Sequence, residues 1–302
     1  MSLARVTVTH RGLLHVRTDD GRAAVARSPR RELSIVCGDF VRCEADPQHQ
    51  QLLIAAVAPR STSLYRTNAR GGSELLAANL SRLLVVVAPV PRPDFFIVDR
   101  FLCAARCAGI AGLVLLNKSE LLLEPKLEQE LAAYEAAGFD CLRVSAQQAH
   151  GLERLVAALR EGTAMLVGQS GVGKSSLLRR LVPDSEAAIG ALARDDEGRH
   201  TTSATRLYAL PAGGELIDSP GVRDFAPAID RLDAADLGFP EVHALAAQCQ
   251  FADCRHLREP RCAVRAAAGE SFSARRYESY RRLRRLHERL QSVGQASQRR
   301  RR

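Results

Sequence analysis

The sequence predicts an α/β protein in which a parallel-sheet domain is preceded by a small β-barrel and followed by a Cys/His-rich helical module. Three observations predict it. Residues 5–59 alternate apolar and polar; from residue 81 apolar strands alternate with helical stretches around "GQSGVGKSS"; and "CQFADCRHLREPRC" precedes an arginine-rich run. Period-two alternation belongs to half-buried strands, whereas buried strands alternating with helices mean a parallel sheet covered on both faces.

In the N-terminal part, "RVTVTH", "LLHVRT", "AAVAR", "LSIVCGDFVRCEA" and "QLLIAAVAP" read as five short strands, with turns at Asp19-Asp20-Gly21 and Gly38-Asp39. Five strands in this length fit an OB-like barrel, although alternation alone is also compatible with another small all-β domain. Residues 60–80, "RSTSLYRTNARGGSELLAANL", are polar and Gly-containing and read as a linker or mobile loop. "RLLVVVAPV" is then a buried strand, 95–108 a helix, and "GLVLLNKSEL" a buried strand running into a loop. A helix over 125–137, a strand in "CLRVSA", a helix over 151–160 and a strand in "AMLVG" follow. The domain boundaries are 1–77 for the barrel, 78–230 for the α/β domain and 231–302 for the C-terminal module.

A chain of 302 residues that is 46% hydrophobic has room for several domains and a buried core. No apolar run reaches the roughly 18 residues of a membrane span, and the polar start "MSLARVTVTHRG" is unlike a secretory leader. A cytoplasmic protein with no membrane partner is expected. Cys37, Cys43, Cys103, Cys107 and Cys141 are scattered in apolar surroundings and read as small buried hydrophobes. The net charge of +9 is concentrated: residues 275–302 hold 11 Arg against 2 Glu, leaving 32 basic and 32 acidic groups in the rest. A neutral body with a basic arm points to a polyanionic partner.

Gly168-Gln169-Ser170-Gly171-Val172-Gly173-Lys174-Ser175, continued by Ser176, matches G-x-x-x-x-G-K-[ST] between a strand and the helical "SLLRRLV". Backbone N–H groups of such a turn face phosphate oxygens, Lys174 neutralises the β and γ phosphates, and the Ser175 hydroxyl ligates Mg²⁺. "ELIDSPGV" puts Asp218 at a strand end, where it can hold Mg²⁺ through water, and Gly221 where its N–H reaches the γ phosphate. The intervening "DDEGRHTTSATRL" is polar and loop-like, with threonines that can complete the Mg²⁺ shell.

Upstream, "VLLNKSEL" places Asn117, Lys118, Ser119 and Glu120 at a strand end, and "RVSA" places Ser145 and Ala146 at the next. These resemble the guanine-reading N-K-x-D motif of GTPases and its S-A companion. An acidic side chain there accepts from guanine N1–H and the exocyclic amine, which adenine does not supply together. An Asn-Lys turn after a strand is common by itself; the spacing to Ser145-Ala146 and the phosphate loop sets this one apart. Because the base-reading strands precede the phosphate strands, the domain reads as a circularly permuted GTPase whose new ends open after the strand carrying Asp218.

Near the C-terminus, Cys249-x4-Cys254-x-His256-x5-Cys262 offers three thiolates and one imidazole, the donor set of one filled, structural Zn²⁺ site. Few large apolar residues surround it, so the metal would supply much of the folding energy. A redox disulfide with a bystander histidine is the rival reading. His243 reads as a surface or core residue. "SARRYESYRRLRRLHERL" is a basic helix with Tyr277, Tyr280, Leu283, Leu286 and Leu290 at core-facing spacing and arginines suited to an RNA backbone.

"GDFV", "AANLSRLLVVVAP", "NKSEL", "SGVGKSSL", "GRHTTS", "DSPGVRDF" and the Cys/His cluster occur in the order found in the ribosome small subunit-dependent GTPases of the YjeQ/YloQ type. The resemblance covers nearly the whole chain. It implies a circularly permuted P-loop GTPase domain with an N-terminal OB-fold barrel and a small C-terminal zinc-binding helical domain. It further implies a monomer whose GTP hydrolysis is stimulated by the small ribosomal subunit late in maturation and coupled to release, with the subunit, its rRNA, GTP and GDP as partners. By the same resemblance His200 orients the attacking water, since Val222 after Gly221 cannot, and Thr202 takes the Mg²⁺ position, with Thr201 the alternative. The family's zinc ligands fall on Cys249, Cys254, His256 and Cys262. Two positions depart from the family: Glu120 stands where Asp is usual and Ser219 where Thr is usual.

Overall fold

The computed structural model describes residues 2–10, 13–28, 33–46, 51–68, 71–183, 204–219 and 226–299. Strands β1 (Ser2–His10), β2 (Leu13–Thr18), β3 (Ala23–Arg27), β4 (Phe40–Asp46) and β5 (Gln51–Val57) pair in the order β1-β2-β3-β5-β4, and β4 returns to β1 to close the barrel. Alternation turns Val6, Val16, Val41 and Ile54 inward, where none is exposed. "LSIVCGDFVRCEA" is not one strand: residues 33–39 approach as coil and only Phe40–Asp46 pairs. The reason is Gly38, which turns with φ 90° and lies so close to the next segment that a Cβ would stand 2.4 Å from the Ala78 carbonyl oxygen.

Residues 60–80 are not a linker. They form an antiparallel hairpin, β6 (Ser63–Thr67) and β7 (Ser73–Ala78), and the polar residues that suggested a loop supply its turn, with Gly71 N–H bonded to Asn68 O at 3.0 Å. Leu64, Leu76 and Ala77 are buried in the core of the next domain. Bonds from Thr67 N–H to Ala226 O (2.8 Å) and from Ala228 N–H to Tyr65 O (3.1 Å) fasten the hairpin to the segment after the phosphate strands.

The α/β domain runs β8 (Arg82–Val87), α1 (Phe95–Cys107), β9 (Ala111–Leu116), α2 (Pro125–Ala136), β10 (Asp140–Arg143), α3 (Leu152–Leu159), β11 (Thr163–Val167), α4 (Lys174–Leu181), β12 (Thr205–Ala209) and β13 (Glu215–Asp218). Strand order is β10-β9-β8-β11-β13-β12. The first five are parallel, and β8 sends Leu83, Val85 and Val87 to the side of α1 and α2 but Leu84 and Val86 to the side of α3 and α4. The sheet is not wholly parallel: β12, read above as loop, runs antiparallel to β13 and also pairs with β1 through Val8 and Thr9. Barrel and α/β domain therefore share one eleven-stranded sheet. A register shift between Val6 and Val8 bends β1 so that it can serve both neighbours.

Beyond a 3-10 turn at Ile229–Arg231 come α5 (Pro240–Ala246), α6 (Ala263–Ala267) and the long α7 (Ala274–Arg299). Tyr277, Tyr280 and Leu283 of α7 enter the core shared with α1, and Leu286 packs at its margin. Leu290, expected to face the core, is 37% exposed because the helix has by then run past its neighbours.

An ionic network fastens α7. Asp99 of α1, fully buried, accepts from Arg275 and from Arg276 (2.7 Å), while the Tyr134 hydroxyl donates to it at 2.9 Å. Arg275 also reaches Glu130 of α2 (2.6 Å), and Arg276 bonds Glu241 of α5. Burial works against both guanidinium charges, yet the carboxylates outweigh it and raise both pKa values above the ordinary arginine range. Arg284 is turned inward onto the carbonyls of Ala234 and Ala235. Three arginines expected to face an RNA backbone are thus internal struts. Among the described residues no helix is long and apolar enough to cross a membrane.

Candidate nucleotide site and metal centre

The parallel strands deliver their functional residues to one edge of the sheet, where open α/β sheets bind ligands. Gly168 follows β11, Asn117 follows β9, Ser145 lies just after β10, and Asp218 ends β13, half-buried. Gly168 and Gly173 take φ of 136° and 95°. A Cβ at Gly168 would lie 2.3 Å from Val86 O, and one at Gly173 2.2 Å from the Asn117 amide nitrogen. Side chains are excluded there, so the loop closes down tightly. Gly173 caps α4, whose first turn carries Lys174, the exposed Ser175 and Ser176. A helix N-terminus beside a Gly-rich turn suits phosphate. Lys174 Nζ donates to Gly168 O (2.5 Å) and Gln169 O (2.6 Å), which holds the ammonium inside the loop; the Gln169 side chain accepts from Asp94 N–H at 2.9 Å, and Ser170 is open to solvent.

Asn117 joins the two halves of the site. It is 2% exposed, donates through Nδ2 to Val172 O of the phosphate loop (2.9 Å) and accepts Ala146 N–H at 3.1 Å. Lys118 Nζ bridges Val90 O (2.7 Å) and Gly171 O (2.8 Å). Ser119 N–H bonds Val144 O at 3.1 Å, and the buried Ser145 hydroxyl accepts Gln148 N–H at 2.9 Å. Between these groups opens a cleft of about 710 Å³ lined by Asn117, Lys118, Glu120, Ala146 and Gly173. Glu120 lines this cleft, and one of its oxygens, Oε2, is closed to solvent with no hydrogen-bond partner. Leaving a buried acceptor unpaired costs about 1–3 kcal/mol, and more for a charged one, so turning the carboxylate toward a ligand in the cleft that brings N–H donors is favoured.

Arg180 of α4 was not singled out from the sequence. Its guanidinium donates to Ala146 O (2.8 Å) and Gln147 O (3.1 Å), pinning the base-side loop to the helix that follows the phosphate loop. No local signal marks it, because its partners lie over 30 residues away. His200, Thr202, its alternative Thr201 and Gly221 lie outside the described residues. Ser219, at the edge of that segment, shares a 2.8 Å hydroxyl contact with Thr205.

Ligand atoms of Cys249, Cys254, His256 and Cys262 lie within 4.8 Å of one another. His256 Nδ1 is 3.4 Å from both Cys249 Sγ and Cys262 Sγ, which are 3.9 Å apart. A disulfide needs about 2.05 Å, whereas the sulfur–sulfur edge of a tetrahedron with Zn–S bonds of about 2.3 Å is about 3.8 Å. The thiols are free and the four donors fit one tetrahedral ion. Burial, then the Arg284 charge, push the His256 pKa down and keep the ring neutral, as a ligand must be. The connecting turn winds around Glu259, whose carboxylate accepts the N–H groups of Leu257 and Arg258 at 2.9 Å and of Arg255 at 3.2 Å. Burial alone would raise Glu259, but these amides hold its pKa at about 2. Tyr277 OH donates to His256 O at 2.8 Å, tying the cluster to α7. His243 stands apart, exposed and paired with Asp236 at 3.0 Å.

The sequence pattern of the RsgA GTPase family matches residues 57–227. The chain belongs to this family. A protein of Azotobacter vinelandii named small ribosomal subunit biogenesis GTPase RsgA is 41% identical, over 92% of this chain and 84% of its own. One of the same name from Chromohalobacter salexigens is 42% identical, over 93% of this chain and 85% of its own. Among solved structures, YjeQ from Thermotoga maritima superposes with a TM-score of 0.74 at 24% identity, covering 95% of this chain and 98% of its own. YloQ, described as a circularly permuted GTPase, superposes with 0.69 at 22% identity, covering 95% of each. These two speak for the fold: barrel, permuted domain and Cys/His module in the expected order. Membership in the RsgA family makes this chain a GTPase, with the nucleotide and Mg²⁺ requirement of that chemistry.

Proposed function

We propose that this RsgA-family GTPase acts late in maturation of the small ribosomal subunit, as a cytoplasmic monomer whose GTP hydrolysis is stimulated by the subunit and drives its release. The observation that carries guanine nucleotide as the ligand is the convergence of phosphate loop and base loop on Asn117, around a cleft lined by Glu120, whose Oε2 is unpaired. The relatives' names supply the subunit.

In this reading residues 168–176 cradle the phosphates and Lys174 balances their charge. Asn117, Lys118, Ser119, Glu120, Ser145 and Ala146 surround the base. Ser175, Asp218 and Thr202, or Thr201 in its place, hold Mg²⁺; Gly221 N–H meets the γ phosphate; His200 orients the water. Cys249, Cys254, His256 and Cys262 hold one structural Zn²⁺. The barrel and α7 meet rRNA.

The test is GTP turnover against small-subunit concentration. The expected rise is about a hundredfold, the order supplied by completing one transition-state contact. A flat response removes the ribosomal reading. His200→Ala is expected to lower stimulated turnover about 10²-fold while leaving GDP affinity unchanged, because a water-positioning group acts in the transition state. Intact turnover would assign the water to another group. Metal analysis of protein purified without chelator should find one Zn²⁺ per chain, and Cys254→Ala should lose it and loosen residues 249–262 to proteolysis. Wild-type protein without zinc would refute the Cys₃His centre.

A further inference from the structure

Apart from Arg281, which pairs with Glu278 of its own helix at 2.7 Å, the arginines over residues 275–289 of α7 fall into two sets. Arg275, Arg276 and Arg284 are internal. Arg282, Arg285 and Arg289 are exposed and, at i, i+3 and i+7, share one helical face. Arg282 extends from that face over the Phe96 ring of α1, its guanidinium carbon 3.9 Å from the ring centroid. Arg100 of α1 approaches the same ring at 5.9 Å. Arg100 is half-buried, its Nε is buried without a hydrogen-bond partner, and neither guanidinium is ion-paired among the described residues. Burial, then the charge of Arg282, lower the Arg100 pKa; Asp94 opposes them, but its carboxylate already caps α1 by accepting from Phe96 N–H (2.9 Å) and Ile97 N–H (3.4 Å). Two like charges beside one ring, that of Arg100 half-buried and that of Arg282 exposed, repel, and a shared anion relieves the repulsion.

We propose that Arg100 and Arg282 together form a site for one backbone phosphate of RNA, continued along α7 by Arg285 and Arg289. A guanidinium resting on an aromatic face keeps its N–H edge for a phosphate oxygen, and two of them give a fork-like grip. RNA is favoured over free phosphate by extent: the exposed arginines of α7 span about 10 Å along the helix, more than one small ion occupies. They also lie in the segment that carries the chain's whole net charge. Since Arg100 belongs to the α/β domain and Arg282 to α7, the bound phosphate would brace one against the other. The site rests on the rRNA reading above.

The experiment uses full-length wild type, Arg282→Gln, Arg100→Met and the double variant. Affinity for small ribosomal subunits, and in parallel for a synthetic RNA hairpin, is measured over a salt series. Each single variant is expected to lower the slope of log K against log[salt] by about 1, and the double variant by about 1 rather than about 2, because both side chains serve one phosphate. GDP affinity should stay at the wild-type value in all four proteins, which controls for folding; Arg282, being exposed, can be replaced without opening the core. An unchanged slope in Arg282→Gln, or additive losses in the double variant, overturns the site. Displacement of RNA by inorganic phosphate but not by chloride at equal ionic strength makes it a free-phosphate site instead. Wild type that ignores subunits but binds the hairpin with the expected slopes refutes the ribosomal reading and keeps this one; wild type that binds neither overturns both.

Discussion

GDP is expected to bind about 10⁴-fold more tightly than ADP, the discrimination reached by sites built to hydrogen-bond a group the competitor lacks. Glu120 lines the cleft, and its Oε2 is closed to solvent with no partner. Guanine brings N1–H and an amine to such an oxygen, and the pair desolvates favourably. Adenine turns an unprotonated ring nitrogen toward it, so the carboxylate stays unpaired and is repelled as well. Glu120→Ala should therefore lower GDP affinity and, by removing the unpaired and repelled carboxylate, raise that of ADP, so that the two converge. Phosphate binding persists, because Lys174 and the glycines of residues 168–173 do not depend on the carboxylate. Titration calorimetry with both nucleotides and both proteins checks this. Similar wild-type affinities for GDP and ADP would leave a P-loop site that does not read the base, and with it an ATP-using enzyme.

Asp99→Ala is expected to destabilise the protein by about 3–5 kcal/mol, the cost of stranding buried charge by removing one partner of a buried pair. Asp99 accepts from Arg275 and Arg276 at once, and Arg276 is 1% exposed, so water cannot replace the lost carboxylate. Glu241 alone would then face Arg276, and α7 would loosen from α1 first. Denaturant unfolding followed with hydrogen exchange along α7 reads both effects. A loss under about 1 kcal/mol would show that the network is already solvated. Replacing Asp99, Arg275 and Arg276 together by apolar residues should be far milder than Asp99→Ala, since no charge is then left buried.

The phosphate loop, the Asn117–Glu120 stretch and the Cys/His cluster were legible in the sequence because each is made by residues close along the chain. Their chemistry depends on backbone N–H groups and donors whose spacing is itself the signal. β8 and β9 were legible too, since unbroken apolar runs can only be buried strands in such a pattern. By contrast, β6 and β12 mix polar with apolar residues, and the apolar run of β7, residues 75–78, is short and follows a polar, Gly-containing turn. They are strands because distant partners, the segment at 226–228, β13 and β1, complete their hydrogen bonds and cover Leu64, Leu76 and Leu207. The arginines of α7 look alike in the sequence. Whether each is a strut or an open charge is decided by what the fold sets beside it: Asp99 and Glu241 for Arg276, carbonyls of Ala234 and Ala235 for Arg284, the Phe96 ring for Arg282. Local chemistry follows from neighbours along the chain, whereas burial and charge pairing follow from neighbours in space, which only the folded chain brings together.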